Sequence, residues 1–156
     1  MKHLALLLSL LAAFGCAGPD KVSHVQPPGY LKNAREVVAQ ADWSNPRVVE
    51  LELVNHAFRP DELTFRRGEP VRLILRNTST SDHTFVSESF FKGIAVQKLV
   101  TPQQTVEAPW VEKVTVEDGV VQELWFVPAR YGSYRFECTM PGHALLGMTG
   151  IVNVVE

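Results

Sequence analysis

Apolar and polar residues alternate along most of this chain with the two-residue period of half-buried strands. Val49, Leu51 and Leu53 alternate with Glu50 and Glu52, and the same rhythm runs through residues 62–65, 71–75, 114–116, 121–127 and 134–138. A last apolar run covers 151–155. Turn-forming clusters separate these stretches: Arg59-Pro60-Asp61, Arg67-Gly68-Glu69-Pro70, Glu117-Asp118-Gly119 and Tyr131-Gly132-Ser133. Short strands at this spacing, with little helical periodicity, predict an all-β protein, an antiparallel Greek-key β-sandwich of about eight strands. A helical pattern is confined to residues 32–41, inside a Pro-containing polar segment that reads as a tether able to dock Trp43 on the domain. Residues 87–112 read as a short helix and loop covering a sheet edge, with Phe90, Phe91 and Trp110 as packing residues.

The alternation has a chemical consequence. In a strand over 134–138, Tyr134, Phe136 and Cys138 share one face, so the thiol points into the core above two aromatic rings while Glu137 points away. Cys138 then opens a loop in which Cys138, His143 and Met148 stand five residues apart. Thiolate, imidazole and thioether on one short loop form most of a copper site, because a trigonal His2Cys set with a weak axial Met suits an electron-transfer copper. His83, at the end of Asn77-Thr78-Ser79-Thr80-Ser81-Asp82, is placed to supply the second imidazole. Such donors are acceptable to both Cu(II) and Cu(I), and strands hold them rigid, which is what fast electron exchange requires. His56, at a strand end, reads as structural, and His24 as a solvated linker residue.

Cysteine usage points the same way. The chain has 2 Cys, Cys16 and Cys138. Lys2 followed by an apolar stretch over 4–14 is too short to span a bilayer and reads as an export signal. Ala12-Ala13-Phe14-Gly15-Cys16 resembles the lipobox of bacterial lipoproteins. That resemblance implies acylation of Cys16 and a lipid anchor on the periplasmic side of a membrane, the outer one because Ala17 rather than Asp follows. An ordinary signal cleaved just beyond Cys16 is the alternative and would leave a soluble periplasmic protein. On either reading Cys138 has no intramolecular partner in an oxidising compartment, where a thiol persists if it is buried or metal-bound. Coordination by copper explains it.

Composition narrows the classes further. The expected division is a signal peptide over 1–15, a lipid-anchored tether over 16–45 and one domain over 46–156, long enough for a core. A net charge of −2 offers no basic surface for nucleic acid. Hydrophobic content of 46% with 21% charged residues fits an ordinary globular protein, expected to be monomeric. With 3 Met, one of them Met1, and no Met- or His-rich tract, the chain reads as a carrier of electrons. A periplasmic copper-binding or copper-tolerance protein that buffers or delivers the metal is the alternative. No second Cys in the loop and no paired His-x-His motif argue against an oxidase, so no enzymatic activity is expected.

The stretch 134–154, with Pro141-Gly142-His143 and Gly147-Met148-Thr149-Gly150, resembles the cupredoxin family, in the loop type of the auracyanins and rusticyanin. Upstream, the segment from Phe58 through Gly68 and Val71 to Asn77 resembles the first half of small bacterial cupredoxins. The resemblance implies a cupredoxin-like sandwich with one copper ion per chain, bound by His83, Cys138, His143 and Met148 and serving redox-partner proteins. Met140, Pro141, Ala144, Leu145 and Leu146 frame the His143 edge and form a candidate docking patch for such a partner. Thr139 matches the Ser or Thr common after the cysteine. Thr84 stands where the family often has Asn or Ser, and this departure puts in question the hydrogen bond that braces the two ligand loops.

Overall fold

The computed structural model describes residues 26–156; the predicted signal segment, Cys16 and His24 lie outside the described residues. In chain order the elements are α1 (Ala34–Gln40), β1 (Arg47–Val54), β2 (Ala57–Arg59), β3 (Glu62–Arg66), β4 (Val71–Asn77), β5 (His83–Phe85), α2 (Glu88–Phe91), β6 (Ile94–Val100), β7 (Thr105–Val106), β8 (Val114–Val116), β9 (Val121–Pro128), β10 (Gly132–Glu137) and β11 (Thr149–Val155). They form a six-stranded sheet in the order β2-β1-β4-β9-β6-β7, a three-stranded sheet β10-β11-β3 and a two-stranded ladder β5-β8. This is a β-sandwich with few helices.

The period-two pattern is realised as burial. Val71, Leu73 and Leu75 of β4 are fully buried while Arg72, Ile74 and Arg76 between them are half-exposed. Leu63 and Phe65 of β3, Leu124 and Phe126 of β9, and Val152 and Val154 of β11 complete a single core with Phe58, Phe85, Phe90, Phe91 and Phe136. Each such side chain contributes about 1.5–3 kcal/mol by leaving water. Phe136 packs against Phe58 and Phe85 with ring centroids 4.9 and 5.1 Å apart, so an aromatic layer floors the end of the sandwich where Cys138 lies. Gly150 crosses the Phe136 ring closely: a β-carbon there would collide with that ring and with the Asp61 carbonyl.

Two expectations are corrected. The sandwich is not wholly antiparallel, because β1 runs parallel to β4 and β11 parallel to β3. After the β1–β2 hairpin the chain crosses to the other sheet as β3 and returns as β4, which therefore enters beside β1 in the same direction. Alternation specifies which face a residue takes, not the direction of its neighbour. The second correction concerns residues 87–112. Besides the short helix α2, they contain β6, a full strand between β9 and β7. Its first residues, Ile94, Ala95 and Val96, are all buried because both faces are covered. Ile94 and Val96 join the main core, while Ala95 and Val127 meet Leu31 and Ala34 on the outer side. A strand covered on both faces loses the alternation that would reveal it. Phe90 and Phe91 are fully buried packing residues, and Trp110 packs half-buried against the core.

The covering element is α1, which falls within the predicted helical stretch. Trp43 follows it, donating its indole N–H to the Val38 carbonyl at 3.0 Å and lying 6.1 Å from the Trp125 ring. Among the described residues no helix is long and apolar enough to cross a membrane.

Candidate metal centre

Strands β10 and β11 pair up to the couple Glu137↔Thr149, so residues 138–148 are the closed connection between two registered strands. Backbone bonds tie the three predicted donors of this loop together. The Cys138 N–H donates to the Met148 carbonyl at 3.1 Å, and the Met148 N–H donates to the His143 carbonyl at 3.0 Å. Gly142 and Gly147, at φ +82 and +100, supply the left-handed positions that the turn between these bonds requires. Five-residue spacing thus puts Cys138 and Met148 side by side at the base of the loop and His143 between them. His83 arrives on β5, whose far end is locked to β10 by reciprocal bonds between Val86 and Glu137 at 3.1 and 2.9 Å.

The side chains of His83, Cys138 and His143 come together, and Met148 is tied beside them through its backbone bonds to Cys138 and His143. Nδ1 of His83 and Nδ1 of His143 are 3.2 Å apart, and Cys138 Sγ lies 3.5 Å from the latter and 3.8 Å from the former. A point equidistant from these three atoms lies about 2.0 Å from each, the length of an ordinary metal–imidazole bond and slightly inside a metal–thiolate bond. The trio therefore fits one ion of first-row size without rearrangement. His83, Cys138 and Met148 are fully buried, whereas His143 is half-buried. Burial, together with the neighbouring His143 and His56, holds the His83 imidazole below its usual pKa, which favours the neutral ring that can ligate.

The surrounding groups orient these donors. Nε2 of His83 is 2.8 Å from Ser79 Oγ, and that hydroxyl reaches Asn77 Oδ1 at 2.8 Å. Asn77 is buried and donates its amide to the carbonyls of Ser81, Val116 and Glu117 at 2.8, 3.0 and 3.0 Å. With its proton on Nε2, His83 presents the Nδ1 lone pair to the trio. On the sulfur side, the Thr84 N–H points at Cys138 Sγ from 3.4 Å. The Thr84 hydroxyl oxygen accepts the Thr139 N–H at 2.7 Å. The brace between the ligand loops, which the departure at Thr84 put in question, is therefore present. A threonine hydroxyl sits on Cβ as a serine hydroxyl does and supplies the same acceptor.

One further histidine lies near the site. His56, in the β1–β2 turn, sets its ring edge-on against His143 with centroids 4.9 Å apart. Its contact comes from an element far along the chain, and no local pattern signals it. Of the residues framing His143, Leu145 and Leu146 are 94% and 64% exposed and Pro141 is exposed, while Met140 and Ala144 are half-buried.

The chain is 32% identical over 99 residues to the "Copper-resistant cuproprotein CopI" of Rubrivivax gelatinosus, covering 62% of this chain and 59% of that protein. It thus spans less than two thirds of the length of that curated relative. Among solved structures it is similar to reduced auracyanin of Roseiflexus castenholzii, at a TM-score of 0.51 and 18% identity over 72% of this chain and 100% of that one. It is also similar to the copper nitrite reductase of Nitrosomonas europaea, at a TM-score of 0.58 and 14% identity over 76% of this chain and 52% of that one. At these identities the two structures show a common fold. A family described as "Cupredoxin-like domain" matches residues 36–148, a stretch that holds β1 through β10 and all four predicted donors, and the chain belongs to this cupredoxin-like family.

Proposed function

We propose that this chain is an exported mononuclear copper protein that carries single electrons between redox partners, with one copper held by His83, Cys138, His143 and Met148. The observation that carries this reading is the trio of donor atoms gathered around one point about 2.0 Å from each, at bond-length distance. Copper bound there supplies one-electron redox chemistry. The protein's part is to hold the donors still and keep water from the sulfur. Bonds within the 138–148 loop, the Thr84–Thr139 brace and the Asn77–Ser79–His83 chain support that rigidity.

In this reading His143 is the donor nearest the surface, and Pro141, Leu145 and Leu146 around it form the docking patch for a redox-partner protein, flanked by Met140 and Ala144. Four protein donors leave no position assigned to a substrate, so the protein acts as a carrier and not as an enzyme. Cys16 anchors it by acyl chains on the periplasmic side of a bacterial membrane.

A second reading is favoured by one specific observation. The curated relative is described as a copper-resistant cuproprotein, and a chain of this kind can serve copper tolerance by storing or delivering the ion. Both readings require the same centre. The experiment that tests it is the visible spectrum of the copper-loaded protein, in which Cys138→Ser abolishes the intense thiolate-to-copper absorption, since a hydroxyl does not replace the soft thiolate. Retention of that absorption in the variant would remove Cys138 from the ligand set.

A further inference from the structure

Outside the four donors, one more imidazole lies against the centre. His56 forms the β1–β2 turn with Asn55, between the paired residues Val54 and Ala57, and it is exposed. Its backbone sits at φ +61, in the left-handed region where Asn, Asp and His are the side-chain-bearing residues most often found. Glycine closes such a turn without strain. The ring stands perpendicular to that of His143, at an interplanar angle of 89°.

The placement matters because of what is buried. His83, Cys138 and Met148 have no exposed surface, and His143 alone of the four reaches solvent. Among the four, the partly exposed His143 is the one through which an ion reaches the centre from solvent, and the exposed His56 packs its ring against that of His143. We propose that His56 is a copper-exchange ligand, a surface imidazole that holds the ion in transit between an outside carrier and the buried trio. The proposal rests on the copper reading above and extends it to the route by which the centre is filled and emptied. Imidazole is a donor that copper accepts readily, and a donor beside His143 lets one ligand replace another without a fully hydrated intermediate. The exchange is ligand substitution at constant oxidation state: no electron moves, and the Cys138 proton passes to water as its thiolate forms.

The test uses the full-length apo protein mixed with aqueous Cu(II), following growth of the thiolate-to-copper absorption in a stopped-flow instrument. Two variants are compared with wild type. His56→Asn keeps a side chain that tolerates left-handed backbone but lacks the imidazole, and His56→Gly relieves the backbone altogether. In both, loading and the loss of copper to a chelator are expected to slow by about tenfold, the usual scale for residues supporting a metal site, while the final spectrum matches wild type. Loading at an unchanged or faster rate in both variants overturns the proposal and leaves the ligand set standing. An altered final spectrum in both also overturns it, because His56 would then belong to the centre itself. Failure of wild type to develop the absorption overturns the ligand set, and the exchange role with it.

Discussion

The side-chain oxygen of Thr84 accepts the backbone N–H of Thr139 at 2.7 Å, so the residue after His83 holds the residue after Cys138. The two loops that carry the proposed ligands are thereby fastened at their roots, independently of any metal. Thr84 is almost fully buried but Thr139 is exposed, so losing this part-buried bond costs about 0.5–1.5 kcal/mol. Thr84→Val, which keeps the shape and removes the acceptor, is expected to lower the thermal midpoint of the apo protein by several degrees. Thr84→Ser restores the oxygen and should recover most of that loss. Equal midpoints for the Val and Ser variants in a calorimetric scan would show that the bond contributes nothing.

A second brace lies on the outer face of the large sheet. Arg72 of β4 makes a two-pronged ion pair with Glu123 of β9, and the Trp125 indole N–H donates to the same carboxylate at 2.8 Å. Arg72 chiefly, with a smaller part from Trp125, holds the Glu123 carboxyl below its ordinary range, against the opposing effect of burial. A depressed carboxyl contributes stability that is complete above its unfolded value, about 4.5, and disappears as pH falls through the folded value. Glu123→Gln should therefore cost about 1 kcal/mol at neutral pH and flatten the loss of stability on acidification. Urea unfolding across the acid range measures this. Parallel pH profiles for wild type and variant would mean that Glu123 is not the group responsible.

What could be read from the chain depended on whether the deciding contacts were local. β4 alternates cleanly because one face meets the core and the other does not, and its residues were legible from pattern alone. β6 was not, since α1 covers its outer face and leaves three consecutive buried residues with no rhythm. The relation of Cys138, His143 and Met148 was legible because one loop between paired strands carries all three. His83 could be named as the second imidazole, but its approach depends on the Val86–Glu137 bridge between distant strands, which no local pattern reports. The Ser79–Asn77 support of His83 and the contact of His56 with His143 involve packing across the fold, and no spacing in the sequence reports them.

The proposed anchor is tested by fractionation. Cys16 lies outside the described residues, and the lipobox resemblance assigns it the acyl chains that hold the protein to a membrane. Because the attachment resides in those chains rather than in the domain, Cys16→Ala should move the protein from the membrane pellet to the soluble periplasmic fraction. Wild-type protein found wholly in the soluble fraction would exclude acylation.

Carrier and copper-tolerance roles separate at Met148. Its side chain is fully buried, yet its backbone alone makes the bonds to His143 and Cys138 that shape the loop. Leucine has nearly the same volume, so Met148→Leu should preserve the loop at a cost under about 1.5 kcal/mol. The thioether is the weak axial donor of the proposed set, and such a donor tunes potential more than affinity. Its loss removes a group that stabilises Cu(II). Met148→Leu is therefore expected to raise the reduction potential while the copper survives dialysis, the behaviour of a rigid centre built for electron exchange. Voltammetry and a metal assay on the dialysed variant check both halves. Metal lost from the variant on simple dialysis, or Cu(I) passing rapidly from wild type to a competing thiol metallochaperone, would favour copper handling over electron transfer.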